Sequence, residues 1–136
     1  MKKSILMLFT VILTALTLSS FRPTNNVKII AVVNKADWCS ICKAYAGRTV
    51  EIFNKNNEDG YFQFIVNDIT NDATKKASAP AVKQAGLTNQ QSNVYAAGVI
   101  TFYDAKTKKV LAQATVANTT EEIAGVMKMV REKASK

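Results

Sequence analysis

Histidine is absent from this 136-residue chain, cysteine occurs only twice and tryptophan once. With no histidine and no third cysteine, a closed four-ligand thiolate site for zinc or iron–sulfur would need two copies of the chain, each giving Cys39 and Cys42. No glycine-rich phosphate loop and no internal repeat occur. The uncharged run Ile5–Leu18 would reach only about 21 Å as a helix, against a hydrocarbon core of roughly 30 Å. Acidic residues are scarce beside basic ones, 10 against 18, for a net charge of +8. A basic surface can serve nucleic acid or anionic membranes. Here the lysines are dispersed, their densest group (Lys106, Lys108, Lys109) reads as a turn, and no aromatic residues interleave with them. That pattern argues against nucleic acid and leaves solubility as the reason for the charge.

The N-terminus has the order of a secretory signal: Lys2 and Lys3, the uncharged run, then small residues at Thr17, Ser19 and Ser20. Residues 1–20 are expected to be a cleaved signal peptide and 21–136 a single domain, placed in the periplasm or secreted. No cysteine stands near the cleavage region to accept a lipid, so no membrane attachment is expected after cleavage. Without Lys2 and Lys3 the net charge of +8 becomes +6. Roughly 115 residues suffice for one core and are too few for two.

Periodicity divides the rest. Val27–Val33 is a β-branched run that reads as a strand buried on both faces. After a loop over Asn34–Trp38, a stretch from Cys39 to about Lys55 reads as a helix, stopped by the polar cluster Asn56–Gly60. Tyr61–Asn67 returns as a strand, completing a βαβ unit with parallel strands. A helix capped at Thr70 or Asn71 runs through Ala73–Ala85, with Pro80 expected to kink or divide it and Gly86 to end it. Thr88–Asn93 is expected to be a surface loop. Val99–Tyr103 and Val110–Val116 read as a hairpin. A last helix opens on a Thr119/Glu122 capping box and presents Ile123, Val126, Met127 and Val130 on one face. The total is an α/β domain with a mixed central sheet, βαβ then ββα, and helices on both faces.

Trp38-Cys39-Ser40-Ile41-Cys42-Lys43 stands where the first strand turns into the first helix. Cysteines three apart at a helix start lie on one face, close enough to form a small-ring disulfide that a thiolate can reopen. Unpaired N–H groups and the positive end of the helix dipole favour a thiolate at Cys39, with a pKa below the free value of about 8.5. Cys42, one turn inward and expected to be less exposed, is then placed to resolve a mixed disulfide. In motif and element order, from about Val27 to Lys133, the chain resembles the thioredoxin-like family, in which a strand ends in Trp-Cys-x-x-Cys-Lys at a helix start. The resemblance implies the thioredoxin fold, catalytic Cys39 and Cys42, and substrate contacts at Trp38, Val99 and Ile100. Two positions depart from the family. Its buried aspartate, six residues before the first cysteine, is replaced by Val33. Its cis-proline falls on Ile100, where the Val99–Ile100 bond is expected to be trans and the side chain to shield Cys39. A displacement of this alignment by the longer loop before Gly98 is the alternative.

The function expected from these residues is thiol–disulfide exchange on protein disulfides of the cell envelope, with no cofactor and no bound metal. Its partners would be protein thiols or disulfides and an upstream redox donor or acceptor, the chain itself being a monomer. The Ser40-Ile41 dipeptide does not specify a direction of electron flow. Three other readings accompany this one: a structural disulfide, a redox-inactive binding module, and a metal-bridged dimer. A bond across three residues closes almost no loop, so it does little as a staple.

Overall fold

The structure, a computed structural model, describes residues 26–136. The expected signal segment, residues 1–20, and the first residues of the expected domain lie outside them. Four strands form one sheet in the order β2-β1-β3-β4: β1 (Ile29–Lys35), β2 (Phe62–Asp68), β3 (Val99–Asp104) and β4 (Val110–Thr115). β1 runs parallel to β2 and antiparallel to β3, and β3 is antiparallel to β4. The crossover from β1 to β2 is α1 (Ser40–Lys55); α2 (Asp72–Gln84) and a single turn, α3 (Thr88–Gln91), link β2 to β3, and α4 (Thr120–Ala134) closes the chain.

Strand alternation sets the two faces. Ile29 and Ala31 meet Phe53 of α1 and Ile123, Met127 and Val130 of α4 on one side, together with Phe62, Ile100 and Phe102. Ile30 and Val32 point the other way, to Ile65, Val82, Leu87 and Tyr103. β1 is therefore covered on both faces, as its unbroken apolar run predicts. It begins and ends two residues later than expected, because Asn34 and Lys35 continue the ladder opposite Asn67 and Asp68.

Two elements differ from the sequence reading. Pro80 lies inside α2 without dividing it. Proline removes one helix bond, to the carbonyl of Lys76, and both residues are exposed to water. Thr88–Asn93 is not wholly loop: α3 occupies its first four residues, too few to show a helical period. Wholly buried Leu87 anchors this turn through Gln91 N–H to Leu87 O, 3.0 Å. The other boundaries follow local chemistry. Gly86, at φ +72°, ends α2, with Gly86 N–H bonded to Lys83 O and Leu87 N–H to Val82 O. Both halves of the Thr119/Glu122 capping box are formed at α4.

Candidate active site

At the carboxyl end of β1 the chain turns through buried Ala36, whose carbonyl accepts Cys39 N–H at 3.1 Å. Cys39 is the N-cap of α1, in extended conformation, and its sulfur accepts Cys42 N–H at 3.2 Å. A sulfur thus does the work usually given to a serine or aspartate oxygen at a helix start. Cys39 and Cys42 form a disulfide with 5.3 Å between their Cα atoms. No acidic residue stands in the first turn of α1, so the positive end of the helix is unopposed there.

The expected difference in exposure is not found: Cys39 is 8% exposed and Cys42 7%. Both belong to a small buried cluster with Ala36, Ile69 and, at its margin, Ala97. Elements on either side cover them. From one side comes the loop after β2, where the Thr70 hydroxyl accepts Asp37 N–H at 2.9 Å and the Thr70 carbonyl accepts the Trp38 indole at 3.3 Å. Asp68 anchors this loop, accepting from Thr70 N–H and hydroxyl and pairing with Lys35 at 2.6 Å. Partial burial opposes ionisation of Asp68, but hydrogen bonds from Lys35 and Thr70 outweigh it and hold the carboxyl well below its usual range. The same bond with Asp68 raises Lys35 above the usual lysine value. Trp38, held by Thr70, stands 61% exposed beside Cys39 and offers an open apolar surface.

From the other side comes the segment before β3. Gly98 N–H bonds Asn34 O at 2.6 Å, and Gly98 O accepts Val116 N–H at 2.9 Å. These bonds press Ala97 and Gly98 against the first turn of α1, so close that a Cβ on Gly98 would lie 2.8 Å from Ile41 Cδ1. Here the reading of Ile100 is corrected. Its peptide with Val99 is trans, but its side chain is wholly buried in the core between sheet and helices, opposite Val33 and Ala114. It neither shields Cys39 nor meets a substrate. Strand alternation gives the reason: two residues inside β3, a side chain on this face points into the α1/α4 core. In this segment it is Ala97 that packs with the cysteines, and Gly98 that lies against Ile41. Half-buried Val99 pairs with Thr115 next to that segment.

Behind the pair, where the family aspartate would stand, Val33 and Cys42 share an apolar cavity of about 350 Å³ with Ala46, Val50, Phe64 and Val66. The contacts of Thr70, Ile41 and Ala97 here were not foreseen from sequence, where Thr70 reads only as a candidate helix cap. The only signal for this part of the site was Gly98, a glycine directly before a β-branched strand.

No protein-family model matches this chain, and no curated protein matches it. Solved structures do. Trxlp from Edwardsiella tarda EIB202 superposes with a TM-score of 0.50 at 17% identity, over 76% of this chain and 85% of that one. Thioredoxin from Wuchereria bancrofti also gives 0.50, at 15% identity, over 83% of this chain and 85% of its own. The chain has the thioredoxin fold, with a disulfide-bonded Cys39–Cys42 pair at the start of its first helix.

Proposed function

We propose that this protein is a thiol–disulfide oxidoreductase acting on protein disulfides in the cell envelope. The observation that carries the reading is the disulfide between the N-cap of α1 and its first turn, in a thioredoxin fold. In the reducing direction the Cys39 thiolate attacks one sulfur of a client disulfide, forming a mixed disulfide and releasing one client thiolate, which takes up a proton. Cys42, as thiolate, then attacks the Cys39 sulfur. The second client thiolate leaves, and two electrons have passed from the protein to the client, leaving Cys39–Cys42 oxidised. The oxidising direction is the reverse, and the potential of the couple relative to its partner decides between them. Trp38 and the Ala97–Gly98 segment border the pair and would meet the client first. Export rests on Lys2, Lys3 and the uncharged run after them. A redox partner in the envelope would renew the pair, and the protein would act as a monomer.

The test is trapping. Cys42→Ser should accumulate mixed disulfides between Cys39 and envelope proteins, Cys39→Ser should accumulate none, and titration against glutathione should give one two-electron transition. Adducts in equal amount with both variants, or with neither, would leave the pair without the roles assigned to it.

A further inference from the structure

Among the described residues β2 is an edge strand, bonded to β1 alone. Its register fixes which backbone groups face outward. Ile29 N–H bonds Tyr61 O at 3.3 Å and Ile69 N–H bonds Lys35 O at 2.8 Å, so odd-numbered residues face β1. The N–H and C=O groups of Phe62, Phe64, Val66 and Asp68 therefore face away from it. Side chains close both ends of this row. Asn57 bonds Phe62 N–H at 2.8 Å and Phe62 O at 2.9 Å, and the Ser78 hydroxyl accepts Asp68 N–H at 2.9 Å. Among the described residues, Phe64 and Val66 have no hydrogen-bond partner for either backbone group. The opposite edge is guarded in part, with Lys133 donating to Leu111 O at 3.2 Å and Asn118 accepting Thr115 N–H at 2.7 Å.

An open edge is usually a liability, and folds blunt it with charge, proline or cover. Here the open stretch is two residues long and borders the apolar cavity that contains Cys42, with Val66 55% and Val50 57% exposed on its walls. Two donors and two acceptors at strand spacing match the backbone of another extended chain, and the cavity matches an apolar side chain at one of its alternate positions. A second copy fits poorly, because each chain stays strongly basic, +8 in full and +6 without Lys2 and Lys3, and would bring its own Lys43 to the cavity.

We infer that β2 takes up an extended, apolar segment of a partner polypeptide as a fifth strand, with Phe64 and Val66 giving the main-chain bonds and the cavity beside Cys42 holding one side chain. None of these contacts uses sulfur chemistry, so the inference stands apart from the thiol-exchange reading. The probe is a cysteine-free, fluorescein-labelled peptide of alternating valine and threonine with a glutamate at each end. It is titrated into the oxidised full chain and followed by anisotropy. Saturable binding is expected, weakened at least about tenfold by Val66→Pro, since a proline at an outward-facing N–H removes the donor and no bond to β1. Val50→Glu, on the exposed side of α1, leaves the backbone intact and should weaken binding as well. The inference is overturned by a peptide that does not saturate, or by one that binds both variants like the parent. It is also overturned if free monomer protects the Val66 amide from hydrogen exchange, which would mean that the chain fills its own edge. Self-association abolished by Val66→Pro would make the occupant a second copy.

Discussion

Replacing Gly98 by alanine probes the close approach between the segment before β3 and the first turn of α1. Gly98 has φ +85°, a region that an L side chain enters at about 1–2 kcal/mol. The new Cβ would also stand 2.8 Å from Ile41 Cδ1 and 3.2 Å from its Cγ1. Ile41 is partly exposed, so its side chain can swing aside, at about 0.5–1.5 kcal/mol if it leaves a rotamer well. The sum is about 1.5–3.5 kcal/mol. For a small domain with a urea slope near 2 kcal/mol per molar, the unfolding midpoint should fall by about 0.75–1.75 M. Adding Ile41→Ala removes the contact and leaves the backbone strain, so the double variant should be about 1 kcal/mol more stable than the two single changes summed. Equilibrium urea unfolding of the oxidised protein, followed by far-ultraviolet circular dichroism, measures all four members of the cycle. A Gly98→Ala midpoint within about 0.3 M of the parent would refute both the strain and the contact, and strictly additive changes would refute the contact.

Two further outcomes follow from the loop after β2 and from α4. Asp68→Asn breaks the charge-assisted bonds that fix Thr70 and should lower stability at pH 7 by about 1 kcal/mol, discounted for the exposure of Lys35. Because the Asp68 carboxyl is held below its unfolded value, its contribution is present above about pH 4 and is lost as pH falls further. Urea midpoints of parent and variant should therefore draw progressively together as pH falls from about 4 towards about 2, and a gap of constant size over that range would contradict the assignment. Thr119→Ala removes half of the α4 capping box and should cost about 1 kcal/mol in the same measurement; no loss would mean that α4 is held by its apolar face alone.

Much of the fold was legible because its signals are local. β1 announces itself as a β-branched run, α4 as a capping box followed by an apolar face, and the end of α2 as a glycine at positive φ. The cysteine spacing marked its place at the start of α1 for the same reason. What could not be read was distance across the chain. Nothing near Thr70 says that its hydroxyl and carbonyl will hold Asp37 and Trp38, residues more than thirty positions earlier. The misplacement of Ile100 has the same origin: its position was counted along a motif, whereas the register of β3 against β1 and β4 decides which residues leave the core. That register sends Ile100 inward and leaves Ala97 at the disulfide. Pro80 does not divide α2 because a helix interrupted on its wet side can let water take the freed carbonyl.

The near-equal burial of the two cysteines bears on how the pair distinguishes its members. If exposure selected the sulfur that meets a client, Cys39 and Cys42 would be interchangeable, since each is covered by the same small cluster. Their environments differ in other ways. Cys39 caps α1, its sulfur taking the Cys42 N–H with no acid in the first turn, and borders exposed Trp38. Cys42 lines a mainly apolar cavity, with Lys35, Asp37 and Lys43 also on its walls. The helix terminus on one side and the mainly apolar walls on the other thus set the two sulfurs in different surroundings. The cavity walls Val33 and Val66 maintain that contrast, and it should shrink if either is made polar. Val33→Asp would place a carboxylate in the cavity with Cys42. Val33 also packs against the core, so the variant is informative only if its melting transition stays cooperative. In that case the Cys39:Cys42 ratio of iodoacetamide labelling should change from that of the parent, and an unchanged ratio would show that the cavity plays no part in separating the two sulfurs.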